Sequence, residues 1–173
     1  MALTFDEFLS DRLDALLRYA TTLTCDPHQA EDIVQEVLLR AQQRWSRIGG
    51  LDLPGAYVKR MVTNEFLSWR RRRSSRDVSV AHGDLVELAA PGPDETEWVD
   101  DRAVLLAGIA RLPRKQRAAV VLRYYDDRSD AEIADELGCA EGTVRSHISR
   151  AVDRLRLELE AERSRAGCRG EAR

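Results

Sequence analysis

Wherever this chain shows a hydrophobic pattern, apolar residues recur at three- and four-residue spacing, and no segment alternates with period two. That property restricts it to helices packed on helices, because a half-buried strand needs every second residue to face a core. Thr4-x-x-Glu7 has the spacing of a capping box and precedes a stripe of Phe5, Phe8, Leu9, Leu13, Leu16, Leu17, Ala20 and Leu23. Asp26 is placed as an N-cap, with Pro27 at the first helical position and Gln29 completing a second box. Its stripe runs Ala30, Ile33, Val34, Val37, Leu38, Ala41 and Trp45, and Gly49-Gly50 breaks the helix. Pro54 opens a third, with Tyr57, Val58, Met61, Val62, Phe66, Leu67 and Trp69 on one side before Arg70-Arg71-Arg72-Arg73.

The second half repeats the theme. A helix beginning near Trp98 turns Leu105, Leu106, Ile109 and Leu112 inward, and Pro113 starts another that reaches about Tyr125. Ser129-x-x-Glu132 is a third capping box, introducing Ile133, Ala134 and Leu137. Gly138 supplies the left-handed residue that a sharp helix exit favours. A last helix runs from about Glu141 to beyond Leu157, and the arginine- and glycine-bearing end, residues 163–173, reads as a disordered tail. Between the halves, Asp77 to Asp101 holds eight acids and no Lys or Arg, with Pro91-Gly92-Pro93 interrupting any helix. The expectation is all-α: a helical bundle over 1–76, a flexible acidic linker over 77–96, and a second helical domain over 97–162.

Residues 130–155 have the organisation of a helix-turn-helix, a short helix, a turn at Gly138-Cys139-Ala140, then a longer helix. Val144, Ile148, Ala151, Val152 and Leu155 should face inward, leaving Thr143, Arg145, Ser146, Ser149, Arg150 and Arg154 on the open side. Hydroxyls and arginines there can bond phosphates and read base edges, although an amphipathic helix with a solvated arginine face has the same pattern. The net charge of −3 argues against nucleic acid only as an average: outside Asp77 to Asp101, 22 acids face 27 basic residues. Phosphate contacts act over about one Debye length, so the local surplus around the helix before the motif matters more. That surplus sets Arg111, Arg114, Lys115, Arg117, Arg123 and Arg128 against Asp126 and Asp127. Cys25, Cys139 and Cys168, with His28, His82 and His147, make no zinc spacing, and no metal or cofactor is expected. There is no P-loop, dinucleotide loop or nucleophile constellation to suggest an enzyme. No apolar run approaches a membrane span, and the first residues lack a basic leader, so a cytoplasmic protein without membrane insertion is expected.

Two blocks carry a family resemblance. Leu112-Pro113-Arg114-Lys115-Gln116-Arg117, Leu122-Arg123-Tyr124-Tyr125 and Ser129-x-x-Glu132-Ile133-Ala134-x-x-Leu137-Gly138 lead into Gly142-Thr143-Val144-Arg145-Ser146-x-x-x-Arg150-Ala151. Upstream lie Ala30-Glu31-Asp32-Ile33-Val34-Gln35-Glu36-Val37, then Pro54-x-x-Tyr57-x-x-Arg60-Met61-x-x-Asn64 and the arginine run. The chain resembles the extracytoplasmic-function (ECF, group 4) sigma factors of the sigma-70 family, and its Phe5-Asp6-Glu7-Phe8 opening is similar to the actinobacterial SigE-like subgroup. The resemblance implies a non-catalytic transcription initiation factor that binds bacterial RNA polymerase core and promoter DNA, with an anti-sigma factor as a further partner.

It also implies roles residue by residue. Asp32, Gln35 and Glu36 would face the polymerase β′ coiled coil, and their spacing places them on one helix side. The opened −10 element would meet Tyr57, Lys59, Arg60, Asn64, Ser68, Trp69, Arg70, Arg71, Arg72 and Arg73. In that set Asn64 suits a base edge, the basic residues a phosphate track, and the two aromatics either base stacking or core packing. The −35 element would be read by Arg123, Glu141, Thr143, Arg145, Ser146, Ser149 and Arg150, with the β flap contacting the same domain. The acidic linker would mimic nucleic acid in a basic polymerase channel, hold the free protein closed, or serve as a soluble tether. A helix-turn-helix repressor or activator with a helical sensing domain is the rival reading, and it would bind duplex operator unaided as a dimer. With the sequence ending soon after the recognition helix, control is expected from another protein or from synthesis.

Overall fold

The computed structural model describes the backbone of residues 3–72 and 96–170, with the side chains of 69–72, 96–103, 162 and 165–170 outside the description. Among the described residues the chain is helical and has no strand. It divides into two units, Met1–Val80 and Ala81–Arg173. The linker expected at 77–96 lies outside the described residues apart from Thr96, where the fifth helix begins.

In the first unit α1 (Phe5–Thr24) packs on α2 (Pro27–Gln43) and α4 (Pro54–Arg72), while α2 also packs on α4. The Thr4 capping box is present: its hydroxyl accepts from the Glu7 N–H, and Glu7 accepts from the Thr4 N–H at 2.9 Å. The Thr4 hydroxyl also donates to the Glu7 carboxylate at 2.7 Å, and that bond first, with the Thr4 N–H second, holds the Glu7 carboxyl below the usual carboxylate range. Helix α1 ends on Cys25, buried with a left-handed φ of 54°. Asp26 then caps α2 by accepting from the Gln29 N–H. The other half of the expected box is occupied differently, since the Asp26 N–H donates to Thr24 Oγ1 at 3.2 Å.

Trp45 is a correction to the expected α2 stripe. The helix stops at Gln43, and Trp45–Ile48 forms a separate turn, α3. Trp45 stacks edge-on against Phe5, with centroids 5.2 Å apart, lies 4.8 Å from Phe8, and donates its indole N–H to the Leu3 carbonyl. An unbroken α2 could not make those contacts with the opening of α1.

Polar bonds cross the unit-1 core as well. The Tyr19 hydroxyl and Thr63 Oγ1 are 2.8 Å apart in a buried bond between α1 and α4. Glu65, 2% exposed, pairs with Arg40 of α2 at 2.5 Å. A carboxylate this deep is tolerable only with its cation, so the pair fixes α4 against α2 as well as satisfying a charge. Val58, Val62 and Phe66 fill the remainder of the α4 inner face.

In the second unit α5 (Thr96–Arg111), α6 (Arg114–Tyr124) and α7 (Asp130–Leu137) each pack on α8 (Glu141–Gly170). Leu112, Val120, Ala151 and Leu155 form a buried cluster with Ile109 against it, whereas Leu105, expected inward, is 37% exposed. Helix α5 crosses α8 at Gly108, where a Cβ would lie 2.8 Å from Leu155 Cδ2 and 2.7 Å from a Glu158 oxygen. Helix α8 continues through Gly170, past the limit of 162 expected for the domain, with no proline in the segment to stop it.

The Ser129–Glu132 capping box forms, and its Ser129 N–H and hydroxyl bonds keep the Glu132 carboxyl below its usual range. Gly138 closes α7 at φ 60° with nothing within 4 Å of a Cβ position. Gly138→Ala is therefore expected to destabilise the second unit by about 1–2 kcal/mol from backbone strain alone. Gly142→Ala, with equally open space inside α8, should stabilise it by about 0.5–1 kcal/mol. Denaturant unfolding of the full chain measures both.

Candidate nucleic-acid interface

The helix-turn-helix is α7, the Gly138-Cys139-Ala140 turn and the start of α8. Ile133, Ala134 and Leu137 of α7 and Val144, Ala151 and Leu155 of α8 are buried, with Ile148 and Val152 half-buried beside them. This burial fixes which side of α8 faces outward. Glu141, Thr143, Arg145, Ser149 and Arg150 are exposed and Ser146 half-buried, so the open face expected from the spacing exists.

Arg123, Arg145 and Ser149 are brought together along one groove, lined also by Tyr124, Asp130, Ile148, Val152, Asp153 and Arg156. Sequence reasoning left Tyr124, Asp130, Asp153 and Arg156 out of the interface. Arg156 was recoverable, since 145, 149, 152 and 156 lie on one helical line. Asp130 was not, because its role depends on residues from other helices. Its Oδ1 accepts from Arg123 Nη2, and its Oδ2 lies 3.5 Å from Arg145 Nη1. Arg145 also sits 3.7 Å from Glu141 Oε2.

The basic surplus around α6 needs correcting. Arg117 is 9% exposed and donates to the carbonyls of Ala110 and Leu112, closing the exit from α5. Arg128 pairs with Asp126 and Glu132, which raises its already high pKa, the Asp126 bond first. Arg111 lies 3.5 Å from Glu158. Much of the charge that counted toward DNA in the sequence is thus matched within the fold.

In the first unit Tyr57, Arg60 and Asn64 are exposed along one line of α4, with Ser68 half-buried beyond them. Tyr57, 42% exposed, is settled as surface and not core. Ser68 donates to the Glu65 carbonyl at 3.1 Å, a bond within its own helix. Lys59 stands apart from this line, its ammonium 4.5 Å from the centroid of the Tyr19 ring. The side chains of Trp69 and Arg70 to Arg72, and all of Arg73, lie outside the described residues. On α2, Asp32 and Gln35 are exposed, and Glu36 is half-buried with a carboxylate oxygen 3.7 Å from the Arg40 that pairs with Glu65.

No helix among the described residues is long and apolar enough to cross a membrane. No grouping of three or more His, Cys, Asp or Glu that could hold a metal occurs among them.

Residues 9–76 match the family described as Sigma-70 region 2, and residues 102–155 match Sigma-70, region 4. The chain is 41% identical over 159 residues to the RNA polymerase sigma-E factor of Streptomyces coelicolor, covering 92% of this chain and 88% of that protein. It is 39% identical over 146 residues to the ECF RNA polymerase sigma factor SigL of Mycobacterium tuberculosis, covering 84% and 82%. Among solved structures, the sigma factor RpoE in complex with the anti-sigma factor NepR from Bartonella quintana matches with a TM-score of 0.66 at 29% identity. That match covers 90% of this chain and 96% of the other.

His147 gives the interface helix a pH dependence. Its Nδ1 is buried with no hydrogen-bond partner among the described residues. Burial first, then the positive charges of Lys115 and Arg150, hold its pKa below the ordinary imidazole value. The folded state therefore binds this proton more weakly than the unfolded chain does. Stability from this residue is complete above about pH 6.5 and is lost as pH falls through the lowered folded value. Denaturant midpoints between pH 7 and 5 should decline less steeply in His147→Gln than in the parent.

Proposed function

Because the chain belongs to the sigma-70 family of RNA polymerase sigma factors, in its extracytoplasmic-function group, we propose a division of promoter recognition between its two units. The protein is an RNA polymerase sigma factor, which binds core polymerase and promoter DNA. It works in the cytoplasm and contributes no catalytic chemistry, only binding energy and geometry. Unit 2 reads the duplex −35 element with the exposed side of α8, and the same unit meets the β flap. Unit 1 binds the β′ coiled coil through Asp32, Gln35 and Glu36 of α2, and holds the opened −10 strand along α4.

The observation that carries this reading is the outward side of α8. A helix whose Val144, Ala151 and Leu155 are buried, and whose Arg145, Ser149 and Arg150 are exposed, has the form needed to enter a major groove. There Arg145 can bond a guanine edge, and Ser149 either a base or a phosphate. Thr143, Ser146 and Arg150 flank them, and Glu141 at the start of α8 can accept from a cytosine amino group.

On α4 the exposed line from Tyr57 through Arg60 to Asn64 combines a stacking ring, a phosphate-binding cation and an amide that pairs with an unstacked base. The resemblance adds Ser68, Trp69 and Arg70 to Arg73 to the same strand-binding set, and Lys59 contributes charge from beside the line. Captured bases offset an unstacking cost of a few kcal/mol per step. The relative crystallised with NepR is bound to an anti-sigma factor, and we assign this chain a regulator of the same class.

The test is to assemble the full chain with core polymerase and select promoters from a randomised library. Promoter-specific transcripts are expected, and their absence together with absence of core binding would overturn the assignment. Arg145→Ala should lose about 1–3 kcal/mol of base discrimination in the upstream element. Asn64→Ala should instead weaken opening at the downstream element and leave upstream selectivity unchanged.

A further inference from the structure

We propose that Asp130 is a positioning residue that sets the stringency of promoter reading, by holding the two groove arginines away from indiscriminate phosphate contact. The inference rests on the assignment of α8 as the promoter-reading helix. Asp130 is the first residue of α7, yet its carboxylate joins the end of α6 to the second turn of α8. Its side chain is 25% exposed, that of Arg123 is 31% exposed and that of Arg145 is 63% exposed. The carboxylate and Arg123 are half-buried, and Arg145 is the exposed partner.

The two arginines are held differently. Arg123 donates directly to Oδ1, while Arg145 stands 3.5 Å from Oδ2 and 3.7 Å from Glu141. Two guanidinium groups converging on one groove would repel each other without a carboxylate between them. With it, Arg123 is committed to the protein, and Arg145 is attracted by two carboxylates without being locked to either. Leaving them for a phosphate exchanges one charge attraction for another of the same kind and gains little. Leaving them for a base edge adds directed, paired hydrogen bonds that only the correct base supplies. The internal carboxylate therefore penalises wrong DNA more than right DNA, which is how an unfavourable competing contact produces specificity.

The experiment uses holoenzyme made from the full chain. Its readout is the ratio of transcription from the best library promoter to that from versions with single changes in the upstream element, over a range of salt. Asp130→Asn should raise output from mismatched promoters several-fold and from the matched one much less, lowering the ratio about five- to tenfold. Asp130→Glu keeps a carboxylate and the Ser129–Glu132 cap, and should retain most of the ratio. In an Arg145→Ala background, Asp130→Asn should lower the ratio no further. An equal rise on all promoters would overturn the proposal, because it would leave Asp130 only a general electrostatic effect. So would an undiminished effect of Asp130→Asn in the Arg145→Ala background.

The clasp is also tested without any promoter. Side-chain NMR of the free full chain should show the Arg123 and Arg145 Nε–H signals shifting and broadening in Asp130→Asn, and unchanged signals would overturn it. If the signals change while the parent holoenzyme shows no upstream selectivity at all, the promoter-reading assignment has failed and the clasp has not.

Discussion

Burial of one side of α8 is the constraint on which the second unit depends. Helices α5, α6 and α7 all pack against it, and Val144, Ala151 and Leu155 supply the contacts that fix its rotation. Each apolar side chain fully buried contributes about 1.5–3 kcal/mol. A domain this small has few such residues to lose. Rotating α8 by one residue, about 100°, would expose that stripe and bury Arg145 or Ser149 in its place. The recognition surface is thus what remains once the core has been satisfied. Gly108 matters for the same reason, since the close approach of α5 to α8 at that point leaves no room for a Cβ.

The first unit solves a different problem. Its α4 must present a polar line to the outside while staying fixed along its length, and apolar burial at Val58, Val62 and Phe66 is supplemented by directional bonds. Tyr19 meets Thr63, and Arg40 meets Glu65, from two different helices. Apolar contacts tolerate sliding, whereas a buried ion pair and a buried hydroxyl pair each favour one register. The exposed positions 57, 60 and 64 inherit their spacing from those bonds on the opposite side.

What could be read from the sequence was what depends on near neighbours in the chain. The Thr4 and Ser129 capping boxes, the Asp26 cap and the left-handed Gly138 all involve residues within a few positions of one another, and all are present. The stripe that places Val144 inside and Arg145 outside has the same local origin. Features set by long-range contact were hidden. Trp45 continues the α2 periodicity perfectly well on paper, but Phe5, Phe8 and the Leu3 carbonyl draw it into a separate turn. Arg117 looked like one more cation facing DNA, and only the fold shows it capping the carbonyls at the end of α5. Glu65 carried no signal at all, because a glutamate in mid-helix is ordinarily surface and its partner lies 25 residues away.

The Arg123–Asp130–Arg145 cluster has a consequence for how such a chain can change over generations. A substitution at Asp130 leaves Arg123 in the groove without its carboxylate, and a second substitution is then needed to restore the balance. Positions contributed by three successive helices would accordingly be inherited as a set. Divergence of one copy toward a new promoter would pass through linked replacements, with the intermediate bearing a half-matched groove and reading its old and new sites with similar strength.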